Sequence, residues 1–257
     1  MYKEAVMKNG YIIEAVGLTK KFGDFIAVNH VNFAVNENEA IGIIGPNGAG
    51  KTTFMNILTG FYIPEEGHIY FKQKDITKLS PQRRVAMGIV RTFQLVHVFD
   101  NLSVFYNVAL SCYRKLEGKT FPLNSFFSKL DNKNIKDKVD NTLDIFGLLG
   151  KEDQLAGSLP LGSKKKLELA MANIIDPDVL MFDEPFSGLG DQEIDEISSI
   201  LKTYLHKKTI IMIEHKITKL TKIVDKIAVM CDGKIIAFGS SEETLKHPEV
   251  RKSYWKV

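Results

Sequence analysis

Cysteine is nearly absent from this 257-residue chain: Cys112 and Cys231 lie far apart and match no metal-ligand spacing. The simplest reading is two reduced thiols in a cytosolic compartment, with no chemistry assigned to either. Long apolar runs are missing too. No stretch approaches the ~20 residues needed to cross a bilayer, and the N-terminal MYKEAVMKNG has no signal-peptide core. The chain is expected neither to span a membrane nor to be exported. An excess of one charge is also lacking. The 34 basic and 31 acidic residues leave +3, too mild to argue for nucleic acid by itself, so the charge leaves the partner open, although no nucleic-acid partner is expected. No internal repeat occurs. What is present is an ordinary globular composition, 44% hydrophobic and 25% charged, in a chain long enough to bury roughly three quarters of its unfolded surface.

Strand signals open the chain. YIIEAV and IAVNHVNFAV read as strands, the second alternating as a half-buried antiparallel strand does. AIGIIG, residues 40–45, is a short apolar run ending in glycine, the pattern of a strand buried on both faces. KTTFMNILTG then reads as a helix stopped by Gly60. HIYFK and GIVRTF are further strand candidates, after which residues 103–175 hold almost no β pattern and look like a helical insertion. Within it Ile135, Val139, Leu143 and Phe146 recur at helical spacing, predicting an amphipathic helix. A polar stretch between Leu116 and Asn134 carries Phe121, Phe126 and Phe127, read as loop packing or a partner contact. VLMFD and TIIMIE flank a helix with Ile194, Ile197, Leu201 and Leu205 on one face, a βαβ unit that implies a parallel sheet. KIAVMCDGKIIAFG predicts a hairpin turning at Asp232-Gly233.

The chemistry sits at the strand ends. GPNGAGKTT matches G-x-x-x-x-G-K-[ST] with a strand before it and a helix after it. Gly45, Gly48 and Gly50 let the backbone aim N–H groups at phosphate oxygens, while the helix presents its positive end. Lys51 is placed to reach β and γ phosphates and Thr52 to put its hydroxyl on Mg²⁺. VLMFDEP delivers Asp183 and Glu184 where parallel sheets place ligands. Asp183 suits Mg²⁺ held through water; Glu184, pointing the other way, suits a base that orients water at the γ phosphate. An acidic pair at a strand end also caps helices, but Pro185 weakens that reading. His215, alone unremarkable, becomes in this company a candidate for aligning the γ phosphate with the attacking water.

These pieces in this order resemble the ATP-binding cassette family over nearly the whole chain. Gly45, Pro46, Asn47, Gly48, Ala49, Gly50, Lys51, Thr52 and Thr53 match its Walker A motif and VLMFDE its Walker B motif. Gln94 in RTFQ matches the Q-loop, LPLGSKKKLELA the signature region, and His215 the switch histidine. The resemblance implies an α/β P-loop NTPase fold with an antiparallel β subdomain and a helical subdomain. Residues 11–96 and 176–239 would form the nucleotide-binding core with its β subdomain, 97–175 the helical subdomain and 240–257 a tail. It also implies ATP and Mg²⁺ as cofactors, with Thr52, Gln94 and Asp183 at the metal, and ATP hydrolysis between two cassettes arranged head to tail. Each signature loop closes on the other chain's phosphate loop. Phe22 stands where the family stacks an aromatic side chain on adenine, although a core role is open. GIVRTFQ, PLNSFF, LELA and the ending HPEVRKSYW look like the ATPase subunits of branched-chain amino acid importers. That implies permease partners, an extracytoplasmic solute-binding protein acting indirectly, and a place on the cytoplasmic side of the cell membrane. A soluble cassette ATPase of iron–sulfur assembly or DNA repair is the alternative.

Two positions depart from the family pattern. Its signature is Leu-Ser-Gly-Gly-Gln; here it is Leu159-Pro160-Leu161-Gly162-Ser163. Pro160 supplies neither the hydroxyl nor the N–H that the family's serine gives to the opposite γ phosphate. Gly190 replaces the Asp or Asn of the family's D-loop. The expectation is a heterodimer with a second ATPase subunit, one site hydrolysing and the other slow; the bland alternative is a proline tolerated at the first position of a helix. Ser163, Lys164 and the Gly162 N–H are possible partial substitutes.

Overall fold

The computed structural model of the chain describes residues 10–117, 133–205 and 208–255. Phe121, Phe126 and Phe127, with most of the polar stretch around them, lie outside those residues.

Two sheets organise the molecule. In the first, β1 (Tyr11–Phe22) pairs antiparallel with β2 (Phe25–Asn36) and with β4 (Glu66–Phe71), and β4 pairs with the short β5 (Lys74–Asp75). Burial alternates in the second half of β2, where Val31, Phe33 and Val35 are buried, while β1, interrupted by register shifts, does not alternate. The second sheet runs β10 (Lys234–Ser240), β9 (Lys226–Cys231), β3 (Ala40–Ile44), β8 (Thr209–Ile213), β7 (Val179–Asp183), β6 (Ile89–Arg91). All its pairings are parallel except β9 with β10. Every residue of β3, β7 and β8 is buried, as continuous apolar runs in a parallel sheet require. Asp232 and Gly233 both take positive φ, 47° and 76°, the geometry of the tight hairpin turn between β9 and β10.

One core lies where the first sheet, α1 (Lys51–Thr59) and one face of the parallel sheet meet; it includes Phe33, Phe54, Phe71 and Met230. The other face packs on helices: α3 (Val104–Glu117), α4 (Lys133–Ile145), α5 (Leu161–Ile174) and α6 (Asp191–Leu205). Ile135, Val139, Leu143 and Phe146 are buried there, as are Ile194, Ile197 and Leu201 of α6. Among the described residues no helix is long and apolar enough to cross a membrane.

Two expectations need correction. GIVRTF is a strand only as far as Arg91; after one more bond from Thr92 N–H to Met181 O, the Phe93 and His97 N–H groups turn toward Glu168 of α5. Pro160 is not the first helical residue but the cap before it, with φ −58° and ψ 157°, and α5 begins at Leu161. Extended ψ at that position needs no helical hydrogen bond from residue 160, so proline fits the backbone.

Arg84, in α2 (Pro81–Met87), is 1% exposed. Its guanidinium donates to the carbonyls of Ile57 and Leu58 at 2.7 Å, Ile76 at 2.8 Å, Thr77 at 3.0 Å and Leu79 at 3.1 Å. Burial pulls its pKa down to about 10, with Asp75 opposing the shift. The side chain thus ties the Ile57 and Leu58 carbonyls in the last turn of α1 to the segment before α2, and so fixes the helix that carries Lys51.

Candidate active site

The loop between β3 and α1 is held by close backbone approaches that leave no room for side chains. A Cβ on Gly45 would lie 2.2 Å from the Met230 carbonyl, and one on Gly50 2.2 Å from the Ala27 carbonyl. Gly50 also has φ +94°, a conformation that glycine alone adopts cheaply. Ala49 N–H closes the turn on Pro46 O at 3.2 Å, Asn47 and Gly48 are exposed, and no side chain caps α1. The first N–H groups of that helix therefore face outward without intrahelical partners. Lys51 Nζ, 6% exposed as a residue, donates to the carbonyls of Gly45 at 2.8 Å and Pro46 at 3.0 Å. Burial pushes the ammonium's pKa down, opposed by the fields of Glu184 and Asp183. A buried cation bonded only to neutral carbonyls, beside free helix N–H groups, is a cradle for an anion.

The strand ends complete the site. Glu184 adopts φ +49°, unusual for a residue with a Cβ, and this backbone turn presents its carboxylate to two polar side chains. His215 Nε2 lies 3.0 Å from Oε1, and Gln94 Nε2 donates to Oε2 at 3.0 Å. Residues 94, 184 and 215 therefore meet at one carboxylate, whose charge partly opposes the lowering of the Lys51 pKa by burial. Asp183 faces elsewhere: its Oδ2 pairs with Arg91 Nη2 at 2.5 Å, both side chains almost wholly buried. Thr52 is exposed at the second residue of α1 and Thr53 is half-buried. The exposed Thr52 hydroxyl is the kind of hard oxygen donor that Mg²⁺ takes, whereas Asp183 is held by Arg91 and would meet the ion through water.

Arg91 and Glu214 were not singled out by sequence reasoning. Arg91 Nη1 also donates to Asn56 Oδ1 at 2.5 Å, and its guanidinium lies 5.9 and 5.1 Å from the ring centres of Phe61 and Phe93. Glu214, 3% exposed, accepts from Phe186 N at 2.7 Å and His215 N at 3.0 Å, so it staples the loop after Glu184 to the loop that carries His215. Burial raises its pKa despite those bonds. The available signal was the acid in TIIMIEH directly before the histidine.

Phe22 is 45% exposed, which removes the core reading; its ring meets Tyr62 edge-on at 5.4 Å under Lys20. The signature residues are not joined to the phosphate loop by any described hydrogen bond. Leu159 is buried, Pro160 and Leu161 are exposed, and Gly162 packs against Glu193, whose Oε1 would lie 2.2 Å from a Cβ there. Two of the three possible substitutes for the missing serine, Ser163 and Lys164, are engaged within the chain. Lys151 donates to Ser163 Oγ at 3.3 Å and Lys164 to Asp100 Oδ1 at 2.9 Å.

A glycine-bent loop before a helix N-terminus, with acids at the neighbouring strand ends, defines a P-loop nucleotide-binding protein. The comparisons with known proteins narrow the class. The ABC transporter family matches residues 28–187. The high-affinity branched-chain amino acid transport ATP-binding protein LivG of Escherichia coli K12 is 34% identical over 248 residues, 95% of this chain and 97% of its own length. BraF of Pseudomonas aeruginosa, carrying the same description, gives the same identity and coverage. The ADP conformation of MJ1267, an ATP-binding cassette of an ABC transporter, superposes with a TM-score of 0.82 at 32% identity, over 97% of this chain and all of that one. The chain belongs to the ABC transporter ATP-binding family, as an ATP-binding subunit homologous to the branched-chain amino acid importer ATPases.

Proposed function

We propose that the chain hydrolyses Mg-ATP at a site shared by two cassettes, and so drives an importer of branched-chain or related amino acids from the cytoplasmic side of the cell membrane. Residues 11–96 and 176–239 act as the nucleotide-binding core, 97–175 as the helical subdomain and 240–257 as the tail. Permease subunits bind near Gln94, and an extracytoplasmic solute-binding protein acts through them. The observation that carries this reading is the meeting of Gln94 and His215 on Glu184, beside Lys51. In this arrangement Lys51 and the loop N–H groups bind the phosphate tail, and Phe22 faces the adenine. Glu184 orients water, and His215 and Gln94 hold that carboxylate until nucleotide draws them away. Thr52, Asp183 and Gln94 would hold Mg²⁺, which when bound neutralises charge on the β and γ phosphates.

The second cassette is a different ATPase subunit. Leu159–Ser163 faces that subunit's phosphate loop, where Pro160 withholds a donor and Gly190 a polar side chain, so that site is slow. The site built on this chain's own Lys51 and Glu184 carries the turnover.

Glu184→Gln tests the assignment, since it keeps the side chain's shape and its contact with His215 while removing the base. Phosphate release should fall by about 10² to 10⁴ while calorimetric affinity for Mg-ATP stays within about threefold. Unchanged turnover would refute the role of Glu184.

A further inference from the structure

Three lysines follow one another on α5, and the middle one behaves unlike its neighbours. Lys164 and Lys166 reach outward to Asp100 and Glu196. Lys165 is 2% exposed and points into the protein, as does Glu168 one turn later, 6% exposed. Their charged groups lie 3.7 Å apart. Burial pushes the carboxylate's pKa up, opposed by Lys165. An inward charged pair repays its desolvation only if it makes further hydrogen bonds, and the bonds it makes all go to one short segment. Lys165 Nζ donates to the carbonyl of Gln94 at 2.9 Å, and Glu168 Oε1 accepts from Phe93 N–H and His97 N–H, each at 3.4 Å. The same Gln94 sends its amide to Glu184 at 3.0 Å. Backbone and side chain of one residue thus join α5, one turn past the signature loop, to the carboxylate at the end of β7.

We propose that Lys165 and Glu168 are positioning residues for hydrolysis, fastening the backbone of Gln94 to α5 so that its amide meets Glu184. A shift of α5 when Leu159–Ser163 engages the partner's nucleotide then moves Gln94 and changes how Glu184 is held. The inference rests on the function proposed above, and it deepens that reading by naming what links the two composite sites within one chain.

The test uses Lys165→Met/Glu168→Leu, which removes both charges and strands neither, and Lys165→Arg, which keeps a donor for Gln94. In the nucleotide-free full chain, amide hydrogen exchange at Phe93 and His97 should speed up about tenfold or more in the double variant, with α1 and β3 unaffected. Its kcat should fall about tenfold while Mg-ATP affinity stays within about twofold, and Lys165→Arg should keep about half of kcat. Gln94→Ala should cost about tenfold in the native chain but under about twofold in the double variant, because both act through one contact. Additive effects of Gln94→Ala, or unchanged exchange and kcat in a folded double variant, would overturn the proposal. Failure of the unsubstituted chain to take up Mg-ATP would instead overturn the function proposed above; the tether is read separately by the exchange at Phe93 and His97.

Discussion

Replacing Pro160 separates a structural tolerance from a functional deficit. The residue caps α5 with φ −58° and ψ 157°, a conformation open to serine, and its own carbonyl accepts from Lys164 N–H at 2.9 Å. In Pro160→Ser the hydroxyl gains the N–H of Gly162 or Ser163 as a cap partner, worth about 1 kcal/mol. The loss of proline's restriction of the unfolded chain returns about 0.4–1 kcal/mol. The two nearly cancel, so the melting temperature should hardly move. At the shared site the change is one-sided, because serine restores an N–H and a hydroxyl as donors to the partner's phosphate, each worth at least about 1.5 kcal/mol. Pro160→Ala restores the N–H alone and should raise the turnover of the purified chain about tenfold; Pro160→Ser should raise it about a hundredfold. Phosphate release by the chain alone and mixed with its cognate second ATPase reads both effects, with thermal unfolding as control. Equal turnover of all three proteins at unchanged stability, or ordinary transporter rates from the unsubstituted chain alone, would refute the degenerate-site argument.

Arg84→Met removes five hydrogen bonds to carbonyls around the end of α1, of which Ile57 O and Ile76 O keep a backbone partner. It should cost about 3–5 kcal/mol, seen as a drop of about 10 °C in Tm, with nucleotide affinity falling too because Lys51 sits at the other end of that helix. Glu214 gives a pH signature: burial holds its folded pKa above the ordinary 4.5, so its contribution is fully present below that value and is lost as pH rises through the folded pKa. The stability of the native chain minus that of Glu214→Gln, from urea midpoints at stepped pH, should therefore shrink from pH 4.5 upward. A constant or growing difference contradicts the assignment.

What could be read in advance were signals contained in a few consecutive residues. AIGIIG declared a doubly buried strand because no polar position interrupts it, and GPNGAGKTT declared the bend because glycine is needed where the Ala27 and Met230 carbonyls approach. Asp232-Gly233 declared its hairpin for the same reason of backbone freedom. What stayed hidden were polar side chains whose partners lie far along the chain. Arg84 answers carbonyls 26 and 27 residues away, Glu168 amides 71 and 75 away, and Arg91 an aspartate 92 away. In the sequence a buried arginine or glutamate looks the same as the solvent-facing charges that are far commoner. GIVRTF has strand propensity throughout, yet its bonding to β7 stops at the Thr92 N–H, beyond which the Phe93 and His97 amides turn to Glu168.

Gly190 and the first turn of α5, which follows Pro160, share one contact surface. Glu193 Oε2 accepts the N–H of Gly190 at 3.0 Å, while Oε1 of the same carboxylate packs against Gly162; beside them, a Cβ on Gly188 would sit 3.0 Å from Leu161 Cδ2. Ile194 N–H bonds to Gly190 O at 3.0 Å, which makes Gly190 the cap of α6, and Glu193 closes half of a capping box from three residues on. A glycine cap costs only a few tenths of a kcal/mol against Asn or Asp, and Glu193 offsets part of even that. The helix therefore survives without the family's polar side chain at 190, just as α5 survives with proline at 160. Both substitutions leave the fold nearly untouched, and both remove polar groups from the surface that would face a partner's nucleotide.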